Sequence, residues 1–113
     1  MTQDDVRRLA LALPETVEAP HFDRASFRVR GKVFATLPPQ GDSVVLMLPL
    51  EIQASIMQAH PSEIRPLPAA WQGRGSTERL LEGISEAELH GLLASAWRRI
   101  APKSLIGSGG MQG

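Results

Sequence analysis

The chain has 113 residues, of which 42% are hydrophobic, and its 12 Lys and Arg residues balance 12 Asp and Glu residues. This length and hydrophobic content are typical of one globular domain. The zero net charge argues against a strongly basic nucleic-acid-binding domain, and the absence of cysteine excludes disulfides, thiolate metal sites and cysteine nucleophiles. No apolar run approaches the roughly 20 residues of a membrane-spanning helix, and the N-terminus lacks the layout of a signal peptide. We therefore expect a cytoplasmic protein without membrane contact.

The first predicted element is a helix. Thr2 is a suitable N-cap, and apolar residues recur at helical spacing until Pro14, which ends the helix because a proline disfavours helical backbone in the residue before it.

A β-hairpin follows, with predicted strands over 25–30 and 33–38 and a type II′ turn centred on Gly31 and Lys32. Two cross-strand pairs follow from this turn: Val29 with Phe34, and Phe27 with Thr36. Arg28 and Arg30 then lie on the other face of the hairpin.

The remaining elements are a third strand over 43–48, a helix from Pro49 to His60, short strands over 63–65 and 77–81, and a last helix ending at Pro102. The third strand is apolar on both faces, which indicates a central strand covered on each side. The last helix begins with a predicted capping box at Ser85 and Glu88. The order α-β-β-β-α-β-β-α, with tight turns between strands, predicts an α+β fold in which helices pack on an antiparallel sheet. We expect one domain over residues 1–106 and a disordered glycine-rich tail over 107–113.

Catalytic and metal-binding patterns are not evident. The histidines, His21, His60 and His90, are far apart in the sequence, and no serine lies in a nucleophile elbow. Four carboxylates near the C-terminal half are predicted to lie on the surface without forming a pair: Glu78, Glu82, Glu86 and Glu88. We therefore expect no enzyme activity, no metal and no cofactor.

Basic residues are concentrated in the hairpin. Arg24, Arg28, Arg30 and Lys32 lie there with no acidic residue between the first and the last of them, and Arg74 lies between two glycines in a second predicted tip. Such tips can contact a phosphate backbone. The alternative is that these cations only keep the sheet soluble and discourage edge pairing. Few rings are available for stacking on bases, because aromatic residues make up 4% of the chain and tyrosine is absent.

Several segments resemble the MmcQ/YjbR family of small bacterial proteins over roughly residues 5 to 103. The resemblance rests on six segments: Leu11-Ala12-Leu13-Pro14-Glu15-Thr16, Pro20-His21-Phe22, the run from Ser26 to Ala35, Leu46-x-Leu48, the Trp71-x-Gly73 loop, and the motif from Leu92 through Ala96-Trp97 to Ala101-Pro102-Lys103. It implies a compact α+β domain of the element order predicted above. Members of this family are commonly described as DNA-binding, with a "double wing".

Three functional hypotheses follow. The first is a DNA-binding or transcription-associated module that contacts phosphates through Arg24, Arg28, Arg30, Lys32 and Arg74, with weak and salt-dependent affinity. The second is a protein-interaction adaptor, monomeric or weakly dimeric, because the family fold resembles that of secretion chaperones. The third is a small-ligand cleft near His21 and Trp71.

Overall fold

The structure is a computed structural model that describes residues 1–110, with side chains described for residues 1–106. Its helices are α1 (Gln3–Leu11), α2 (Leu50–Ala59), α3 (Ala69–Gln72), α4 (Glu86–Ile100) and α5 (Lys103–Gly110), with a 3₁₀ turn at Pro61–Glu63. Its strands are β1 (Thr16–His21), β2 (Arg24–Val29), β3 (Lys32–Leu37), β4 (Ser43–Met47), β5 (Ile64–Arg65) and β6 (Ser76–Leu80).

The six strands form one sheet in the order β1-β2-β3-β4-β6-β5, and every neighbouring pair is antiparallel. The predicted α+β class is confirmed. Three elements were not predicted: strand β1 and helices α3 and α5. Strand β1 contains Pro20, which is tolerated because β1 lies at the edge of the sheet.

The hydrophobic core lies on one face of this sheet. The paired residues Phe27, Ala35, Leu46 and Thr77 form a row across four strands, and all four are buried. Helices α1 and α4 contribute the apolar residues that complete the same core cluster, and α4 contacts both β3 and β4. The neighbouring row, on the opposite face, carries mainly polar side chains: Ser26, Thr36, Val45, Glu78 and Arg65.

Strand β4 is central, as predicted, but the prediction that it is covered on both faces is wrong. Val44 and Leu46 are buried in the core, whereas Val45 and Met47 on the other face remain partly exposed. The helices of the core cover only one face, so an apolar sequence on both faces did not indicate two covering layers.

The hairpin between β2 and β3 has a different turn from the predicted one. Its turn residues are Arg30 and Gly31, both with positive φ (52° and 80°), as a type I′ turn requires. Val29 therefore pairs with Lys32 instead of Phe34, and Phe27 pairs with Ala35. The register also shifts between Phe27 and Arg28, an irregularity that the sequence pattern did not reveal.

Helices α1 and α4 begin with the predicted N-caps. The Thr2 hydroxyl accepts the Asp5 N–H, and the Asp5 carboxylate accepts the Thr2 N–H, which makes a complete capping box. At α4 the Ser85 hydroxyl accepts the Glu88 N–H. The Glu88 carboxylate does not complete a second box but binds Arg79.

The C-terminal segment differs in part from the predicted disordered tail over 107–113. Helix α5 reaches Gly110, inside the predicted tail, and residues 111–113 lie outside the described residues. The disorder of residues 107–113 stays a prediction.

Three of the four carboxylates predicted to lie unpaired on the surface are in ion pairs. Glu86 binds Arg8 of α1 (3.0 Å), and the other two bind arginines of the sheet. Glu78 is buried and binds Arg65 (3.0 Å) and the Ser43 hydroxyl (2.7 Å). Glu88 binds Arg79 (3.0 Å), whose side chain is only 2% exposed and whose second nitrogen donates to the Leu80 carbonyl. The prediction failed because Arg65 reaches Glu78 through the pairing of β5 with β6, and Arg79 reaches Glu88 through the packing of α4 beside β6.

Neutralising Glu88 should destabilise the protein. In Glu88→Gln the buried Arg79 guanidinium loses its counter-charge, which costs about 2–3 kcal/mol of unfolding free energy. Urea denaturation of wild type and variant measures the difference. The double variant Arg79→Met/Glu88→Leu should recover most of the loss, because it removes both charges; equal stability of wild type and Glu88→Gln would contradict this role of the pair.

The turn between β1 and β2 holds an exposed aromatic residue in a strained conformation. Phe22 has φ +58° and is 95% exposed, and its ring lies edge to face against that of His21, with 4.8 Å between the ring centroids. Hairpin turns with a positive φ at the first residue normally have glycine there, because a Cβ is disfavoured in this region.

Glycine should therefore be better than alanine at this position. We expect Phe22→Gly to be more stable than Phe22→Ala by about 1 kcal/mol, which is the reverse of the usual order in regular secondary structure. Parallel urea titrations of the two variants measure the difference. If Phe22→Ala is as stable as Phe22→Gly or more stable, the turn does not require left-handed backbone at this position.

Candidate nucleic-acid interface

Three of the five cations predicted to contact phosphates are bound within the protein. Arg30 makes a two-pronged ion pair with Glu15, with nitrogen–oxygen distances of 2.5 and 3.0 Å. This pair ties the hairpin turn to the segment that follows α1. Arg24 pairs with its neighbour Asp23 at 3.1 Å.

Arg28 stabilises the edge of the sheet. Its guanidinium donates to the Ser26 hydroxyl and to the Pro20 carbonyl on β1 (both 3.0 Å). Pro20 has no N–H, and the Thr16 N–H is already bonded to the Leu13 carbonyl. Strand β1 therefore offers few backbone groups to a further strand, which protects this edge from unwanted pairing.

The other two predicted cations, Lys32 and Arg74, lie at the same end of the sheet. Ala35 pairs with Leu46, so Lys32, three residues earlier, is level with the residues that follow β4. The Leu48 N–H donates to the Gly75 carbonyl (3.0 Å), which places Arg74 at this level too. Strands β3 and β6 are separated only by β4, so the two backbones are about 10 Å apart, two strand spacings.

The C-terminus of α4 brings three more cations to this end: Arg98, Arg99 and Lys103. Arg99 donates to the Leu48 carbonyl (2.6 Å), and Trp97, two residues earlier, donates to the Pro14 carbonyl (3.0 Å). Gly75 leaves space for Arg99, because a Cβ at this position would collide with the Arg99 guanidinium and the Leu48 carbonyl oxygen. Its φ of +99° also favours glycine. These cations have an ordinary sequence explanation, the favourable charge at a helix C-terminus, which is why sequence reasoning did not assign them to an interface.

Ion pairing divides the twelve cations of the chain into two equal groups. Six form ion pairs with carboxylates: Arg7, Arg8, Arg24, Arg30, Arg65 and Arg79. The other six have no carboxylate partner among the described residues: Arg28, Lys32, Arg74, Arg98, Arg99 and Lys103. Apart from Arg28, all of this second group lie at one end of the sheet. We call Lys32, Arg74, Arg98, Arg99 and Lys103 the basic end.

The acidic residues are concentrated at the other end. The α1 N-terminus lies there, because Gln3 donates to the carbonyls of Pro38 and Ser43, and so does the α4 N-terminus, because Glu88 binds Arg79. Eight acids lie at this end: Asp4, Asp5, Asp23, Asp42, Glu63, Glu82, Glu86 and Glu88. Near the basic end, Glu15 is bound by Arg30 and Glu51 lies in the first turn of α2. A protein of zero net charge thus has a dipolar charge distribution, although six of these eight acids are paired with arginines.

The predicted cleft between His21 and Trp71 is not formed. His21 ends β1, at the end of the sheet that holds the acids, whereas Trp71 lies in α3, just before β6 begins at the basic end. Strands β1 and β6 are four strand spacings apart, about 19 Å. Among the described residues no three His, Asp or Glu side chains come together as a metal site, and none of the helices described is long and apolar enough to cross a membrane.

Three carboxyl groups have lowered pKa values because they accept hydrogen bonds. The Arg30 guanidinium lowers the pKa of Glu15, the Arg65 guanidinium lowers the pKa of Asp42, and the Thr2 backbone N–H lowers the pKa of Asp5. Each ionised group is thereby favoured in the folded state. These contributions to stability are complete above the ordinary pKa values of 3.8 for aspartate and 4.5 for glutamate and are lost as the pH falls through the lowered folded-state values.

Thermal stability should therefore be flat at neutral pH and fall in acid. We expect the melting temperature to decrease below the ordinary carboxyl pKa values in a titration from about pH 7 to about pH 3. The double variant Glu15→Gln/Asp42→Asn should show a smaller decrease over the same range. An identical pH profile for wild type and variant would exclude these two groups as its source.

Comparison with known proteins agrees with this architecture. The YjbR family model matches residues 11–99. A crystal structure of Deinococcus radiodurans protein DR2400, which is described with the family-model domain DUF419, is similar to the chain with a TM-score of 0.73 and 25% sequence identity, over 85% of this chain and 75% of that one. The curated proteins include no match to this chain. Because the family model covers most of the chain and the element order agrees with the expected fold, the chain belongs to the YjbR family.

Proposed function

We propose that this protein binds nucleic acids by contacting their phosphate backbone with its basic end. The observation that carries the proposal is the position of the cations that have no carboxylate partner. Five of the six lie at one end of the sheet, while most acids lie at the other. An uncompensated group of cations is the usual feature of a phosphate-binding surface.

Rigid elements position these cations. Lys32 follows a two-residue hairpin turn whose first residue is held by Glu15. Arg99 is fixed on the Leu48 carbonyl, and Arg74 precedes the glycine that makes this contact possible. Holding cations in place before binding reduces the entropy cost of binding.

The dipolar charge distribution also favours one orientation. Six of the eight acids at the far end are paired with arginines, so that end carries only a small excess of negative charge. The attraction of the basic end is therefore the main force that steers a polyanion toward it. A zero net charge is compatible with this arrangement, although it limits the affinity. The resemblance to a family commonly described as DNA-binding points to the same class of ligand.

The test is a fluorescence anisotropy titration of a labelled duplex at low salt and then at increasing NaCl. Lys32→Glu and Arg74→Glu should each weaken binding, and each should reduce the steepness of the log–log salt dependence by about 0.9, the contribution of one phosphate contact.

Arg24→Glu is the matched control. It changes the net charge by the same amount, but it lies at the opposite end and loses only an exposed ion pair, which contributes little to stability. Its affinity should equal that of the wild type. If Arg24→Glu weakens binding as much as Arg74→Glu, the basic end is not the interface, and if the wild type binds neither duplex nor single strand at low salt, the proposed function is wrong.

A further inference from the structure

We propose that the basic end prefers single-stranded nucleic acid, and that Trp71 is the residue on which a base stacks. The inference rests on the proposed function and specifies its ligand. The observation behind it is an exposed tryptophan among uncompensated cations. The Trp71 residue is 55% exposed and three residues from Arg74, whose N–H donates to the Trp71 carbonyl (3.0 Å).

The two tryptophans of the chain have opposite environments. Trp97 is only 8% exposed and its indole N–H is bonded to the Pro14 carbonyl, so packing explains it. Packing does not explain Trp71, because more than half of its surface is left in water. A large aromatic residue at a surface is typical of a binding site.

The backbone of Trp71 is held in place. Its N–H donates to the Pro68 carbonyl (2.9 Å), which begins the short helix α3. The next residue, Gln72, accepts the Leu67 N–H on its side chain (2.8 Å) and the amide of Gln53 on its carbonyl (2.9 Å). Since Gln53 is itself buried, α3 is fastened to α2, and the indole is presented from a fixed position.

Stacking and charge together distinguish single strands from duplexes. In a duplex the faces of the bases are covered by neighbouring bases, so cations reach only the phosphates and an exposed ring adds nothing. In a single strand each unpaired base can leave its neighbours and stack on an aromatic side chain, while the phosphates on either side contact nearby cations. Lys32 and Arg74, whose backbones are about 10 Å apart, can contact the phosphates while a nucleobase stacks on the Trp71 indole.

The experiment compares an oligothymidylate of 15 nucleotides with a 15-base-pair duplex by anisotropy, at one low salt concentration. The variants are Trp71→Ala and, as a control, Phe22→Ala, which removes an even more exposed aromatic residue at the opposite end of the sheet. Trp71→Ala should weaken binding of the single strand about tenfold, the loss expected for one stacked base, and leave duplex binding within about twofold. Phe22→Ala should change neither.

A second readout is the intrinsic fluorescence of the wild type. Oligothymidylate should quench it, because one of the two tryptophans is exposed at the proposed site; in Trp71→Phe this quenching should disappear while most of the single-strand affinity is kept. Circular dichroism melts of each variant check that folding is unchanged.

The outcomes separate this inference from the proposed function. If the wild type binds both ligands and Trp71→Ala weakens neither, or weakens both equally, the inference is wrong and the phosphate-binding function stands. If the wild type binds neither ligand, the proposed function fails first. An effect of Trp71→Ala on self-association alone, measured by light scattering, would identify Trp71 as a protein contact and would also overturn the inference.

Discussion

The packing of α4 along β3 and β4 is the constraint on which the arrangement of charge in this protein depends. Its apolar residues lie against the row of buried side chains that includes Phe27 and Leu46. Both ends of the helix are also fastened: Glu88 near its N-terminus binds the buried Arg79, and Arg99 near its C-terminus binds the Leu48 carbonyl. The direction of α4 on the sheet is therefore fixed.

That direction determines the two ends of the molecule. Glu86 and Glu88 lie in the first turn of α4, and Arg98 and Arg99 lie in its last turn. This distribution of charge interacts favourably with the helix dipole. Because α4 runs nearly the length of the sheet, the acids of its first turn join those at the α1 N-terminus. Its last turn joins the hairpin and the loop before β6. The preference for acids in the first turn of a helix and for bases in its last turn thus contributes to the separation of charge between the two ends of the molecule.

Pairing within the fold explains why the basic hairpin is not itself the basic surface. The guanidiniums of Arg24, Arg28 and Arg30 each donate hydrogen bonds to oxygens within the protein. A guanidinium does this readily, because it is planar and carries five N–H donors. Arg28 and Arg30 thereby stabilise an edge strand and a turn. Charge counted along a sequence overstates the charge that is left for a ligand.

The sequence by itself determined the elements that depend on local chemistry: the N-caps at Thr2 and Ser85, the apolar stripe of α4, the existence of the hairpin and the α+β class. It also indicated that Lys32 and Arg74 are exposed, since a cation beside a glycine turn is exposed in almost any register. The tertiary structure decided the rest. The turn at Arg30 and Gly31 has left-handed backbone and carries an ion pair with Glu15. Strand pairing brings Arg65 to Glu78, and helix packing brings Arg79 to Glu88. Arg98, Arg99 and Lys103 join the basic end only through the packing of α4. These features depend on contacts between segments far apart in the chain, and neither residue type nor spacing encodes which segments meet.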